Sequence, residues 1–111
     1  MLIAVTSSGD SFDSLVNERF GRCQFFLIVD PDTMKLEAVP NPAEKAQGGA
    51  GPKAAEVLIN KGVNILLTSH VGDKAEEALK RGNIKIVSGL SSKLKVTDAI
   101  TNYLSKQKEE K

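Results

Sequence analysis

Net charge, metal-binding side chains and long apolar runs are all scarce in this chain, and each scarcity removes a class of function. The 111 residues carry 15 basic and 14 acidic side chains, for a net charge of +1. That balance leaves no basic stripe of the kind that nucleic-acid recognition needs. No apolar run approaches the roughly 18 residues of a membrane span. The opening Met1-Leu2-Ile3-Ala4-Val5-Thr6 lacks a basic flank and is too short for a secretory signal, so a cytoplasmic location away from membranes is expected. The single cysteine, Cys23, excludes an internal disulfide and fits a reducing compartment. One Cys and one His, His70, exclude a self-contained four-ligand zinc site.

Hydrolytic machinery is missing as well. Ser7, Ser8 and His70 offer a nucleophile and a base, but no carboxylate is placed by sequence to orient the base. The glycine elbow of serine hydrolases is absent. Gly48-Gly49-Ala50-Gly51-Pro52-Lys53 lacks the spacing and the Lys-Ser/Thr pair of a phosphate loop. Asp10, Asp13, Asp30 and Asp32 offer carboxylates for a metal-dependent nuclease, yet Asp30 and Asp32 are expected at the far end of their strand from Asp10. We therefore expect a non-enzymatic protein.

What is present is a regular alternation of elements. Leu2–Val5 is a continuous apolar run, Gln24–Asp30 holds five apolar residues in a row, and Val63–Leu67 is mostly apolar, which predicts strands buried on both faces. Met34–Val39 alternates, with Met34, Leu36 and Ala38 on one face, and Asp30-Pro31-Asp32-Thr33 before it reads as a turn, so the two flanking strands form a hairpin. Pro52 opens a helix that Gly62 stops. Asp73 reads as the N-cap of a second helix, with Glu76 at capping-box spacing, and Arg81-Gly82 closes it. Ile84–Val87 predicts a last strand near an edge. Val96, Ala99, Ile100, Tyr103 and Leu104 mark one face of a final helix. Residues 1–105 read as a single domain and 106–111 as a polar tail that frays.

The order is β-β-β-α-β-α-β-α. Buried strands belong in the middle of a sheet, and right-handed crossovers make the first, fourth and fifth strands parallel. These conditions predict an α/β fold with a mixed five-stranded sheet of order 3-2-1-4-5, its second strand antiparallel to the rest. The loops after the first and fourth strands then leave one end of the sheet at a switch in winding, where open α/β sheets bind ligands. Residues Thr6–Asp10, Ser69–Gly72, Gly48–Lys53 and Arg19–Cys23 are expected there.

Several of these residues suit a binding site. Gly48, Gly49 and Gly51 at a helix start would let an anion approach free amides, or they form an ordinary flexible loop. Arg19 and Arg22 would clamp an anion, or are solvated charges paired with Glu18 or Asp13. Cys23 would supply a thiolate with its pKa lowered by those arginines, or is a small buried hydrophobe. His70 would be a metal ligand in an accessible loop, or a surface residue without a role.

The run Arg19-Phe20-Gly21-Arg22-Cys23-Gln24-Phe25-Phe26, with Asn41-Pro42, Gly48-Gly49-Ala50-Gly51 and Gly62-Val63, resembles the dinitrogenase iron-molybdenum cofactor biosynthesis family of nitrogenase accessory factor-like proteins. The resemblance spans roughly Met1 to Leu104. It implies a ribonuclease-H-like three-layer fold. It also implies a carrier for an iron-sulfur or molybdenum-containing cluster, working with cofactor-assembly proteins. On that reading Arg19, Phe20, Gly21, Arg22, Gly48, Gly49 and Gly51 hold the cofactor, and Cys23 and His70 bind metal. Family members often carry His directly before Phe-Gly-Arg. Arg19 stands there in this chain and has no lone pair for a metal, so it would grip by charge. The alternative is a metal-free binding module for an anionic small molecule or a protein partner.

Overall fold

In the computed structural model, which describes residues 1–109, five strands and three helices follow one another in the expected order. The strands are β1 (Ile3–Ser7), β2 (Phe25–Asp30), β3 (Lys35–Pro40), β4 (Ile65–Leu67) and β5 (Lys85–Val87). The helices are α1 (Ala50–Asn60), α2 (Asp73–Arg81) and α3 (Val96–Glu109). The sheet order is β3-β2-β1-β4-β5. β2 runs antiparallel to β1 and to β3, while β1, β4 and β5 are parallel.

Alternation along the central strands splits the core in two. Ala4, Phe26, Ile28 and Leu66 face Ala54, Leu58, Ala75 and Leu79 of α1 and α2. Ile3, Val5, Leu27, Val29, Ile65 and Leu67 face Val96, Ala99, Ile100 and Tyr103 of α3. Helices thus cover both faces of the sheet, which is why β1, the middle of β2, and β4 are buried throughout. β3 and β5 are the edges, as their partial alternation predicts.

Helix ends differ from the sequence reading in instructive ways. α1 begins at Ala50 rather than Pro52, with Gly49 at the N-cap in a left-handed conformation. Its first helical hydrogen bond is donated by Lys53 N to Gly49 O (3.1 Å), so Pro52 occupies a first-turn position whose N–H would have no partner anyway. Asp73 is the first residue of α2 and not its cap; Gly72 takes that place with no side-chain cap bond. Asp73 and Glu76 instead put negative charge in the first turn, where it favours the helix dipole.

Both α1 and α2 end in a paired carbonyl-capping turn. Gly62 N donates to Ile59 O and Val63 N to Leu58 O, each at 3.1 Å, with Gly62 at φ 77°. In α2 the left-handed residue is Asn83 (φ 61°), not Gly82. Ile84 N donates to Leu79 O and Asn83 N to Lys80 O, both at 3.0 Å. Gly82 is small for another reason: a Cβ there would lie 2.5 Å from the Ile59 side chain.

Met34, expected to begin β3, sits in the preceding turn at φ 58° and is exposed. Residues 106–109, read as tail, continue α3; residues 110 and 111 lie outside the described part. Among the described residues no helix is long and apolar enough to cross a membrane.

A substitution at Gly62 isolates backbone conformation, because nothing lies within 4 Å of a Cβ placed there. Gly62→Ala should lower stability by about 1–2 kcal/mol, the penalty for a left-handed L-residue, read from the midpoint of denaturant unfolding.

Candidate functional site

A cleft of about 420 Å³ opens at the sheet end where the sequence places its candidate loops. Four segments line it: Arg19–Arg22, Gly49–Pro52, His70, and Gly72–Ala75. The N-termini of α1 and α2 therefore share one cleft with Arg19, Arg22, His70 and Lys74, and Asp73 is the acidic residue among them.

Backbone contacts bring these segments together. Arg19 forms a parallel bridge with His70: Phe20 N donates to His70 O (3.2 Å) and His70 N to Glu18 O (3.1 Å). Arg19 N also donates to Asn17 Oδ1 at 2.9 Å, fixing the approach to the bridge. On the other side the loop meets α1. A Cβ on Gly21 would lie 3.0 Å from Gly51 N and 3.1 Å from its Cα, and one on Gly51 would lie 2.8 Å from Ala75 Cβ. Loop, α1 and α2 are thus stacked through two positions where no side chain fits.

The turn before α1 completes the support. Asn41, buried, donates from Nδ2 to Gly21 O (3.1 Å) and Cys23 O (3.0 Å), and its Oδ1 accepts from Ala43 N (2.9 Å). Arg22 reaches back, its guanidinium donating to Glu44 O (3.2 Å) and Ala46 O.

The individual residues fare differently. Arg19 and His70 are exposed at the cleft. Among the described residues the ion pairs are Lys61–Glu37 and Lys80–Glu76, and neither uses Arg19 or Arg22. Glu18 accepts instead from Ser92 Oγ at 3.0 Å. Phe20 borders the cleft, but its ring is in the core, 5.5 Å from that of Phe26. Gly49 and Gly51 line the cleft, whereas Gly48 lies outside its lining.

Cys23 corrects the thiolate expectation. It is fully buried and does not line the cleft; Sγ–H points at Phe20 O (3.4 Å). Burial pushes its thiol from the ordinary 9.0 up to about 12, the reverse of the lowering expected from the arginines. The Arg22 guanidinium is engaged by backbone carbonyls.

Thr6–Asp10, also expected at the site, is used for structure. Thr6 Oγ1 lies 2.9 Å from Thr68 Oγ1 and donates to Asn17 O, and Asn17 N donates to Thr6 O (2.9 Å). The segment through Leu15–Asn17 covers this loop, with Ser8 N donating to Leu15 O. The sequence reading missed Lys74 at the cleft and the part played by Asn41. The Asn-Pro pair after an edge strand was the available signal for the latter.

Among the described residues no group of three or more His, Cys, Asp or Glu side chains is placed to hold a metal ion.

A family profile described as dinitrogenase iron-molybdenum cofactor matches residues 1–106. The chain belongs to this family. It is similar to the orange protein of Desulfovibrio gigas, solved in its apo form, with 43% identity over 96% of this chain and 88% of that one, and a TM-score of 0.91. It is also similar to a putative NifB protein from Thermotoga, with 34% identity over 94% and 87% of the two chains and a TM-score of 0.80. An uncharacterised protein of Methanocaldococcus jannaschii is 30% identical over 74 residues, which span 64% of this chain and 63% of that relative.

The thiol makes a direct test. Cys23 should resist alkylation in the native protein at pH 8 and react within the dead time once unfolded in guanidinium. Because the folded state disfavours the thiolate, its contribution to stability is intact below pH 9.0 and is lost as pH rises towards about 12. Denaturant midpoints across that range check the sign.

Proposed function

We propose that this protein is a non-enzymatic carrier whose cleft holds an iron-sulfur or molybdenum-containing cluster as cargo. The observation that carries the reading is the meeting of two helix N-termini with Arg19, Arg22, His70 and Lys74 in one cleft, in a chain of this family. Such a site suits an anion. The α1 N-terminus, with no acidic residue in its first turn, favours negative charge by about 0.3–1 kcal/mol near the surface, while Asp73 and Glu76 already answer the dipole of α2. The Arg19 guanidinium adds bidentate hydrogen bonds, that of Arg22 being engaged by Glu44 O and Ala46 O.

The donor set sets the manner of binding. His70 is the imidazole at the cleft, and Cys23 is turned into the core with its thiol protonated. With no three donors grouped among the described residues, a bare ion finds no cage there. A preassembled anionic cluster that brings its own ligands needs none, and His70 then supplies at most one direct bond. Arg19 stands where relatives often have His, which moves the balance further from coordination towards charge.

The sheet order with helices on both faces supports a ribonuclease-H-like description of the fold. A carrier exchanges cargo with other proteins, so cofactor-assembly proteins in the cytoplasm are the natural partners. A second reading uses the same cleft without metal, for an anionic small molecule or a protein partner; it is favoured by the lack of a donor trio among the described residues.

Anaerobic reconstitution with iron, sulfide and molybdate, then desalting and metal analysis, tests the proposal. We expect near-stoichiometric metal in the wild type. Arg19→Ala and His70→Ala should each retain several-fold less, and Cys23→Ala should load like the wild type. No retained metal, with a thermal shift on adding phosphate, would transfer the site to the metal-free reading.

A further inference from the structure

We propose that Asn41 is the positioning residue of the cleft, fixing its two walls relative to each other. The inference rests on the cleft being the binding site. One wall is the loop Arg19–Arg22 and the other is the start of α1, Gly49–Pro52. They are far apart in sequence yet touch through Gly21 and Gly51. The segment that leads into α1 begins at Asn41.

Asn41 is 6% exposed, and its side chain bonds backbone at three points besides a longer contact from Nδ2 to Cys23 Sγ at 3.9 Å. Its amide donates to the first wall at Gly21 O and to the residue just behind that wall at Cys23 O. Its carbonyl accepts from Ala43 N, shaping the turn that becomes the second wall. Its own backbone N donates to Gln24 O at 3.0 Å. The grip is reciprocal, since Arg22 of the first wall donates to Glu44 O and Ala46 O of that same turn. Turn and loop each hold the other by side chain to main chain.

Only an amide makes this set of bonds at that size. Two carbonyls need two donors, and Ala43 N needs an acceptor. Asp keeps the acceptor and loses both donors, facing a buried carboxylate against two carbonyl oxygens. The carbonyls of Gly21 and Cys23 then lose their side-chain donors. The loop is left to the Arg19–His70 bridge, the Arg22 bonds to Glu44 O and Ala46 O and the Gly21–Gly51 contact, so Arg19 is held less firmly.

The test is Asn41→Asp in the full chain, read by amide hydrogen exchange and by metal retained after the same reconstitution. We expect the Phe20 and His70 amides to exchange about tenfold faster while those of β1 and β4 are unchanged. Retained metal should fall by about fivefold. Unchanged exchange at Phe20 and His70 would overturn the proposal. So would uniformly faster exchange through the sheet, which would mark Asn41 as a general stability residue, and so would local loosening with full loading. If the wild type retains no metal, the cargo reading falls and exchange alone decides the positioning role. If Asn41→Asp does not fold, Asn41→Ser, uncharged and with one donor, carries the same comparison.

Discussion

The approach of Gly21 to the backbone of Ala50 and Gly51 is the constraint on which the site depends. Side chains ordinarily keep main chains well apart. Here a loop and a helix start meet with nothing between them, and Gly51 in turn meets Ala75 of the second helix. These two small-residue contacts put two helix starts and the Phe-Gly-Arg loop around one volume. Had any of the three segments carried a larger side chain at the contact, the amides of α1 would sit farther from Arg19 and His70. Gly21 and Gly51 therefore act less as open cradle than as spacers of minimal size, whereas Gly49 leaves open space at the cleft.

That distinction explains what was legible in the chain. Apolar runs at Leu2–Val5, Gln24–Asp30 and Val63–Leu67, set against alternation at Met34–Val39, were enough to order the sheet, because burial on two faces and on one leave different patterns. The same order delivered Arg19–Arg22, Gly49, Gly51 and His70 to one sheet end. Side-chain direction was not legible. Arg22 follows Gly21 in sequence, but its guanidinium turns to the carbonyls of Glu44 and Ala46. Cys23 lies next to an arginine and still ends in the core, because the strand it precedes is buried. Helix starts were misplaced by one or two residues: Ala50, behind a Gly49 cap, opens α1 in place of Pro52, and Gly72 caps α2 in place of Asp73, and neither glycine has a side chain to signal a cap.

Rigidity and charge are divided between different residues. Asn41, Gly21, Gly51 and the Phe20–His70 bridge set the geometry with uncharged main-chain contacts. Arg19, Lys74 and His70 stand at the surface of that frame. Such a division means that the charge at the rim can be changed by substitution without touching the contacts that set the frame.

The edge strand β3 carries a further consequence, for behaviour in concentrated solution. A free sheet edge is a template on which another chain can add a strand. Here that edge presents Lys35 and Glu37, with Lys61 of the α1 terminus tied to Glu37 across it at 2.6 Å, and the strand ends at Pro40, which has no N–H to offer. Charge and a missing donor therefore discourage edge-to-edge stacking along this side of the sheet.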